Sequence, residues 1–274
     1  MANAEQKLVA SLLVKPGEKA RLGERDPADR LGLGAKSESV DRLVGLIARL
    51  GTLQNRLWAE DRQALLLVLQ GLDASGKDGT IRHVFTGVNP QGCRVVSFKA
   101  PSTIELGHDY LWRIHKNLPE RGEIGIFNRS HYEDLVTVRV RGLVPKDVAD
   151  RRPGQVRAFE RQLSEEGTTV LKVFLHVSRD EQRARLQARL DDPEKAWKFR
   201  LGDLDDRKLW DEYHRTYEHV LTETSTDWAP WHVVPGDHKW VRNIAVASLL
   251  VEALERMDPK LPPEDPALSG LRVT

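Results

Sequence analysis

Cysteine and long hydrophobic runs are the scarcest features of this sequence. Cys93 is the single cysteine among 274 residues, which excludes an intramolecular disulfide framework and a cysteine-based zinc cluster. This scarcity is typical of a reducing compartment, so we expect a cytoplasmic protein. The longest apolar stretch beside a predicted strand, residues 64–69, is far shorter than the roughly 20 residues that a membrane span needs. The N-terminal segment is too charged for a secretory signal, so we expect no signal peptide.

An excess of charge of one sign is also lacking. Lys and Arg number 42 and Asp and Glu number 41, which gives a net charge of +1. Because no overall excess attracts the chain to nucleic acid or to a membrane surface, we expect neither as a partner, and any site for a polyanion must be local. With 40% hydrophobic and 30% charged residues, the chain is typical of a globular protein of one large domain or two small ones.

Apolar periodicity predicts alternating strands and helices. Residues 1–38 show little periodicity and are expected to form an extended arm, whereas residues 39–58 carry apolar side chains at helical spacing. The run at 64–70 is typical of a strand buried on both faces. Further strands are predicted at 93–98, 123–128, 169–177 and 231–234. Helices are predicted at about 103–117, 131–139, 153–166, 180–190, 206–223 and 240–256. This alternation indicates an α/β fold, a parallel sheet flanked by helices on both faces.

Two segments interrupt the pattern. Residues 191–206 mix charges with Trp197 and Phe199 without an apolar period, so we expect a mobile lid, with a rigid surface loop as the alternative. Residues 257–274 contain several prolines and few bulky side chains, as expected of an irregular tail. The predicted organisation is an arm and amphipathic helix over 1–60, a main domain over 61–256 that includes the lid, and a tail over 257–274.

A glycine-rich turn follows the strand at 64–70. Residues 71–77 match the first seven positions of the phosphate-loop (P-loop) pattern, between a predicted strand and a predicted helix. The glycines let backbone N–H groups converge on an anion, the helix N-terminus adds positive potential, and a lysine contacts phosphate oxygens. The predicted phosphate-binding residues of this segment are Gly76, Lys77, Asp78, Gly79 and Thr80. A glycine-rich turn without a ligand is the alternative.

Two carboxylates stand beside the predicted phosphate site. Asp78 occupies the position where the usual pattern has the Ser or Thr whose hydroxyl contacts magnesium, and Asp73 lies inside the loop. Both would repel phosphate unless a cation lies between them, so we infer a magnesium ion. Alternatively, Asp78 only complements the positive end of the helix.

The strand at 123–128 leads into the sequence NRSHYED. Most P-loop proteins end this strand in a carboxylate that holds magnesium, whereas here it ends in Asn128. Glu133, about one turn later, is the candidate for the missing charge. Arg129 lies at the carboxyl edge of the strand, where parallel sheets bind ligands. Simple pairing of Arg129 with Asp134 or Glu133 is the alternative.

Basic residues outside the loop offer a track for a linear polyanion. They are Arg129, Arg185, Arg189, Lys195, Lys198, Arg200 and Lys239. Residues 179–215 carry about as many acids as bases, so an ordinary solvated helix surface is the alternative.

Six segments, in order, form a more specific pattern than the P-loop alone. They are GLDASGKDGTIRHVFTGVNPQG at 71–92, SFKAP at 97–101, GIFNRSHYEDL at 125–135, FLHVSRDEQRARLQAR at 174–189, KAWKFRLGDLDDRKLW at 195–210 and APWHVVPGDHKWVRN at 229–243. Over about residues 40–256, the chain resembles the polyphosphate kinase 2 family, specifically its class III type. Asp78 and Asn128, which depart from the general P-loop pattern, are shared with this class.

The resemblance implies a P-loop kinase fold with a helical lid. It also implies reversible transfer of the terminal phosphoryl group of inorganic polyphosphate to AMP and ADP, which gives ADP and ATP. The implied cofactor is Mg²⁺, with Mn²⁺ as a substitute. The implied partners are polyphosphate and adenine nucleotides, with guanine nucleotides as further candidates, and the implied assembly is a homo-oligomer, a dimer or a tetramer.

The resemblance also implies a role for individual residues. The catalytic residues would be Asp73, Lys77, Arg129 and Glu133. Metal ligands would be Asp73, Glu133 and Asp78. Nucleotide contacts would come from Asp73, Asn128, Arg129 and Lys99. Phosphate contacts beyond the loop would come from Arg129, Arg185, Arg189, Lys198 and Arg200.

Two other functions stay open at the level of sequence. An ATP-dependent nucleoside or nucleotide kinase would share the P-loop and a lid with arginines, although Asn128 and the NRSHYED string argue against it. A regulatory module that binds nucleotide without catalysis would not need a basic cover for transfer. Formation of ATP from ADP and polyphosphate separates the three.

Overall fold

A computed structural model describes residues 2–37, 39–266, 269 and 271–272. Its strands are β1 (Leu13–Val14), β2 (Ala64–Gln70), β3 (Cys93–Ser97), β4 (Ile124–Asn128), β5 (Thr168–His176) and β6 (Trp231–Pro235). Its α-helices are α1 (Ala2–Leu12), α2 (Val40–Glu60), α3 (Lys77–Val84), α4 (Thr103–Leu106), α5 (Trp112–His115), α6 (Thr137–Val140), α7 (Lys146–Glu165), α8 (Arg179–Leu190), α9 (Leu201–Lys208), α10 (Trp210–Thr224) and α11 (Lys239–Met257). Short 3₁₀ helices cover Leu22–Glu24, Pro90–Gly92, His131–Asp134 and Ala196–Lys198.

The strands form one six-stranded sheet in the order β1-β6-β5-β2-β4-β3. Strands β2 to β6 are parallel, as the alternation of strands and helices predicts. The strand β1 is antiparallel to β6, with Leu13 opposite His232. This edge pairing depends on residues far apart in the chain, so local periodicity does not show it.

The N-terminal segment differs from the extended arm that its sequence suggests. Helix α1 covers Ala2–Leu12, and its Leu8, Val9 and Leu12 are buried in the core. These apolar residues have helical spacing, but the stretch is too short to stand out from its charged surroundings. The segment is therefore a helix and an edge strand of the main body. The domain boundaries themselves stay a prediction.

Helices cover both faces of the sheet because the central strand is apolar on both sides. Leu65, Leu67 and Leu69 of β2 join one core with side chains of α1, α2, α3 and α11. Leu66 and Val68 join the other core with side chains of α5, α7 and α10. Period-2 alternation of a strand sends successive side chains to opposite faces, so a continuous apolar run fills both cores.

Several helices differ from the predicted ranges. The segment 103–117 forms two short helices, α4 and α5, rather than one. Helix α7 begins at Lys146 and holds Pro153 inside it, whereas a proline usually marks a helix start. The second half of the predicted lid is helical, in α9. Part of the predicted tail, residues 267, 268, 270, 273 and 274, lies outside the described residues, and 258–265 has no regular structure.

The order of the strands locates the functional edge. Strand β2 lies between β5 and β4, and the chain reaches β3 and β4 on one side before it crosses to β5 and β6 on the other. Parallel α/β sheets bind ligands outside the carboxyl ends of their strands, at the position where the strand order reverses. Here that position is the end of β2. No helix in the described part of the chain is long and apolar enough to cross a membrane.

Candidate active site

The loop between β2 and α3 has a backbone that requires glycine at two positions. Gly71 has φ +148° and Gly76 has φ +103°, conformations that L side chains rarely adopt. A Cβ atom at Gly71 would lie 2.8 Å from the carbonyl oxygen of Leu175, and one at Gly76 would overlap the guanidinium of Arg242. The loop is therefore packed closely against β5 and α11 behind it, as a phosphate cradle needs.

Lys77 is buried at the first position of α3. Its Nζ donates to the carbonyl oxygens of Gly71 at 2.7 Å and Leu72 at 3.2 Å. Burial, together with the charge of Arg129, lowers the pKa of Lys77 to about 8, against the opposing effect of Asp73, Glu133 and Asp78. In this arrangement the ammonium is bound to carbonyl oxygens at the base of the loop, where a phosphate oxygen could replace them.

Three side chains brace the loop from behind. Gln182 Nε2 donates to the carbonyl oxygen of Asp73 at 3.0 Å, and Arg242 Nη1 donates to that of Ser75 at 3.4 Å. Arg185 donates from Nη1 to Ala74 and Ser75 and from Nη2 to Gly236 and Asp237, at 2.6–3.1 Å. Sequence reasoning missed Gln182 and Arg242, which lie in the motifs at 174–189 and 229–243.

The arrangement of Arg185 differs from the predicted phosphate contact. Its Nε donates to Glu181 at 2.7 Å, so all three nitrogens of its guanidinium are engaged with protein acceptors. A contact with polyphosphate would require these bonds to break. The structure assigns Arg185 to the support of the loop, and the phosphate contact stays a prediction without support in this arrangement.

Arg129 connects two of the predicted carboxylates. Its Nη2 contacts Asp73 Oδ1, and its Nη1 lies 3.4 Å from Glu133 Oε2. Burial alone lowers the pKa of Arg129, but the charges of Glu133 and Asp73 reverse this effect and raise the pKa above the usual value. Asp134 instead contacts Arg113 and Arg152. We call Asp73, Arg129 and Glu133 the arginine bridge.

Two further side chains hold Glu133. Thr137 Oγ1 donates to its Oε2 at 2.8 Å. With its amide oriented so that both oxygen and nitrogen find partners, Gln70 donates to Glu133 Oε1 at 3.0 Å and accepts from Ser130. Gln70 ends β2 and Thr137 begins α6, so Glu133 is fixed by two elements that the sequence motif does not connect.

Asp78 and Asn128 meet where α3 faces the end of β4. Asn128 Nδ2 donates to Asp78 Oδ1 at 2.5 Å. Thr80 is buried, and its hydroxyl donates to the carbonyl oxygen of Gly76 at 3.1 Å. A Cβ at Gly79 would lie 3.4 Å from Arg242 Nη2. The exposed Lys99 follows β3 beside this edge, and its carbonyl oxygen accepts from Arg113 at 2.8 Å.

The residues present fit a magnesium ion in their chemistry. Mg²⁺ prefers oxygen ligands and is usually held by one or two carboxylates together with substrate phosphates. Asp73, Glu133 and Asp78 supply carboxylates at the mouth of the loop. Among the described residues, no group of three or more His, Cys, Asp or Glu side chains is close enough to hold a metal by itself. A cation here would therefore depend on phosphate oxygens.

Some basic side chains in and beside the predicted lid are paired with carboxylates, and others are exposed to solvent. Arg189 lies 3.5 Å from Asp203, and Lys195 contacts Asp192. Lys198 and Arg200 are exposed, and the Lys198 ammonium lies 5.1 Å from the ring centre of Trp197. Trp197 is 76% exposed and does not pack on the core in this arrangement. Lys195, Lys198 and Arg200 are exposed cations of the segment 191–206, and Lys195 is paired with Asp192.

Helix α9 of the lid is attached to both sides of the site. Arg141, one helical turn after Thr137, contacts Asp206 at 2.6 Å. Arg207 donates to Gln182 Oε1 at 3.0 Å, and Gln182 is also the side chain that holds the loop at Asp73. The position of α9 is thus linked through side chains to the same elements that place the carboxylates.

Comparison with known proteins agrees with these features. A model of the polyphosphate kinase 2 (PPK2) family matches residues 34–262. A curated protein of Meiothermus ruber, "AMP/ADP-polyphosphate phosphotransferase", is 52% identical over 255 residues, 93% of this chain and 96% of that protein. An "ADP-polyphosphate phosphotransferase" of Rhodopseudomonas palustris is 44% identical over 266 residues, 93% and 92% of the two chains.

A solved structure agrees with the fold as well. The crystal structure of polyphosphate kinase 2 from Arthrobacter aurescens TC1 superposes with a TM-score of 0.90 at 42% identity, and the match covers 94% of this chain and 93% of that one. The P-loop, the arginine bridge and the lid all lie within the residues that the family model matches. The chain therefore belongs to the polyphosphate kinase 2 family.

Proposed function

We propose that this protein transfers the terminal phosphoryl group of inorganic polyphosphate to AMP and ADP. The observation that carries the proposal is the similarity, at 52% identity over 93% of the chain, to a protein named AMP/ADP-polyphosphate phosphotransferase. The buried Lys77 and the arginine bridge at the end of β2 and β4 support it, because a cradle of cations and carboxylates suits phosphoryl transfer with a metal ion.

The chemistry needs little from the protein beyond position and charge. An oxygen of the acceptor's terminal phosphate attacks the terminal phosphorus of polyphosphate, a new phosphoanhydride bond forms, and the old one breaks. The leaving group is a polyphosphate one phosphate shorter. No enzyme nucleophile takes part. Since one phosphoanhydride replaces another, the free-energy change is small, and we expect the reaction to run in both directions.

Each site residue has a role in this scheme. Lys77 leaves the carbonyl oxygens of the loop and binds an oxygen of the transferring group. Arg129 keeps its position between Asp73 and Glu133 and presents its guanidinium to the developing charge. Asp73, Glu133 and Asp78 would hold Mg²⁺, which when bound neutralises phosphate charge. Lys99 and Asn128, beside the same edge, are the proposed nucleotide contacts.

Three further properties are part of the proposal. The single cysteine supports a cytoplasmic location. Val40 and Val44 of α2 are 54% and 61% exposed, which supports contact with a second copy and hence a homo-oligomer. We propose adenine nucleotides as acceptors, with guanine nucleotides as further candidates to be tested beside them. Light scattering on the purified protein measures its mass in solution and so distinguishes one, two and four chains.

The test is nucleotide formation from polyphosphate by the purified protein with Mg²⁺ or Mn²⁺. We expect ADP from AMP and ATP from ADP, no product without polyphosphate, and lengthening of short polyphosphate chains when ATP is supplied with them as the donor. Phosphorylation of AMP or a nucleoside by ATP, with polyphosphate inert as a donor, would instead identify an ATP-dependent kinase. Binding without turnover under all these conditions would identify a regulatory module. Strict use of one acceptor would leave the donor assignment intact and narrow the acceptor.

A further inference from the structure

The two departures from the usual P-loop pattern contact each other in space. In most P-loop proteins a hydroxyl begins the helix after the loop and a carboxylate ends the neighbouring strand. Here the carboxylate, Asp78, is on α3, and a neutral amide, Asn128, is on β4. Asn128 Nδ2 donates to Asp78 Oδ1 at 2.5 Å. The acidic residue is therefore on the other element of the pair, and one hydrogen bond joins the two side chains.

Asp78 is the predicted metal-binding carboxylate that no arginine neutralises. Asp73 and Glu133 both contact the guanidinium of Arg129. Within the residues that the structure describes, the partner of the Asp78 side chain is the uncharged amide of Asn128, and it forms no ion pair. Its charge is therefore available to a cation in a way that the charges of the arginine bridge are not.

No hydroxyl replaces the missing Ser or Thr in this first turn. Thr80 is fully buried, and its hydroxyl is directed to the carbonyl oxygen of Gly76. The oxygen that faces the site from the start of α3 is thus a carboxylate oxygen. One oxygen of Asp78 accepts from Asn128, which leaves the other for a ligand.

Asn128 is held firmly enough to place this carboxylate. It lies opposite Leu69 of β2 and Ser97 of β3 in the sheet register, and its carbonyl oxygen accepts from Phe98 N–H at 3.1 Å. The backbone of a residue at the end of a strand has little freedom when the strand is paired on both sides. The amide therefore fixes the direction of the Asp78 carboxylate.

We infer that Asp78 and Asn128 act as a transposed pair, in which Asp78 supplies the cation-facing charge and Asn128 is its positioning residue. The pair requires one negative charge shared between α3 and β4, with a hydrogen bond across it. Two carboxylates at positions 78 and 128, or none, would disrupt the site. The inference rests on the proposed function only for the identity of the substrates, because it concerns cation binding at the loop.

The test exchanges the two side chains. D78N leaves two amides, N128D brings two carboxylates together, and D78N/N128D restores one carboxylate and one amide with the same number of heavy atoms. Each variant is characterised by two measurements. The first is Mn²⁺ affinity, by electron paramagnetic resonance in the presence of ADP and without polyphosphate, and the second is kcat/KM for ATP formation. Thermal unfolding records whether each variant is folded. E60Q is the matched control, because Glu60 accepts from Gln63 at 2.9 Å in an amide–carboxylate contact away from the loop.

We expect D78N to lose about 10-fold or more in Mn²⁺ affinity and about 10²-fold in kcat/KM, as removal of a placed electrostatic group does. N128D adds a carboxylate and should not weaken Mn²⁺ binding, but it should lower kcat/KM by about 10-fold or more, because repulsion between two carboxylates replaces the hydrogen bond that directs Asp78. The exchange variant should recover at least about 10-fold in kcat/KM over the worse single variant, a coupling that independent sites would not give. E60Q should match the wild type. Additive losses in the exchange variant, or wild-type kcat/KM in N128D, would overturn the inference.

A second comparison covers the case in which the exchange variant does not fold. N128S keeps a hydroxyl donor for Asp78, whereas N128A removes the donor. We expect tighter Mn²⁺ binding by N128S than by N128A, and equal binding by the two would also contradict the inference. If the wild type binds Mn²⁺ and ADP but forms no ATP from polyphosphate, the proposed function fails while the Mn²⁺ comparison still decides the role of the pair.

Discussion

The phosphate loop and the lid carry similar charges in opposite surroundings. Lys77 in the loop is 8% exposed and is held by two carbonyl oxygens, and side chains of α8 and α11 brace the loop from behind. In the lid, Trp197 and Leu201 are 76% and 79% exposed, and Lys198 and Arg200 extend into solvent. One set of cations is buried and held before substrate arrives, and the other is exposed to solvent.

This difference predicts how each region contributes to transfer. A buried cation that cannot relax costs no reorganisation when charge develops, so its removal affects the chemical step. An exposed cation is screened by water and salt until a lid closes on the substrate, so its removal affects capture of polyphosphate and exclusion of water. Substitutions in the two regions should therefore differ in size and in kind.

The largest effects are expected in the loop. Lys77→Ala and Asp73→Asn should each lower kcat/KM by about 10²-fold or more, because each removes a placed electrostatic group from the transferring phosphoryl. The proteins should remain folded, as measured by thermal unfolding. Lys146→Ala is the control, since Lys146 is an exposed lysine paired with Asp150 on α7. Turnover near that of the wild type at saturating magnesium would remove the substituted residue from the site.

The geometry of the arginine bridge is tested by a substitution that keeps the charge. Arg129→Lys should lower kcat/KM by about 10-fold, because a lysine ammonium cannot contact Asp73 and Glu133 in the way that the two ends of a guanidinium fork do. Arg139→Lys, at a surface contact with Asp150, is the matched control. Equal activity of the two variants would show that Arg129 acts only as a point charge.

The pH dependence of stability provides a smaller effect at the same loop. The pKa of Lys77 is lowered by burial from 10.5 to about 8, so the folded state binds fewer protons than the unfolded state between these values. Its burial is therefore least favourable below about pH 8, and the wild type gains stability as the pH rises toward 10.5. Lys77→Met lacks this group.

We expect the unfolding free energy of the wild type, relative to Lys77→Met, to rise by about 2 kcal/mol between pH 7 and pH 9.5. Denaturant unfolding of both proteins at each pH measures this difference, and other titrating groups largely cancel in the comparison. A difference that is constant with pH would mean that the Lys77 ammonium is not desolvated in the resting protein.

The sequence allowed most of the fold and the centre of the site to be predicted, and the reasons are local. The strand expected at 64–70 is β2 with the same bounds, because an apolar run that ends at glycine has few other interpretations. The family motifs name Asp73, Lys77, Arg129 and Glu133, and the fold brings all four to one edge of the sheet. The motifs do not show which group each of these charged side chains contacts.

Partners that are distant in the chain explain the misses. Gln182 and Arg242 brace a loop more than a hundred residues earlier, and a sequence of polar residues on a helix does not show which backbone oxygen each will meet. The basic character of Arg185 predicts a phosphate contact, but its acceptors in the structure are carbonyl oxygens and the carboxylate of Glu181. The edge strand β1 was missed for the same reason, since its two residues gain a partner only from β6.

The smallest effects are expected in the lid, and they should differ in kind from those of the loop. Replacing both Lys198 and Arg200 with Ala removes two exposed cations, each worth little in water, so kcat/KM for polyphosphate should fall by only about 5-fold. The phosphate released per ATP formed should rise, because a weaker closure admits water to the transferring group. Lys146→Ala with Arg151→Ala removes two exposed charges from α7 and is the matched control. A coupled assay that records ATP and free phosphate together separates transfer from hydrolysis. If transfer, its dependence on polyphosphate concentration and hydrolysis all match the control, the segment 191–206 is a surface loop and polyphosphate follows another path to Lys77.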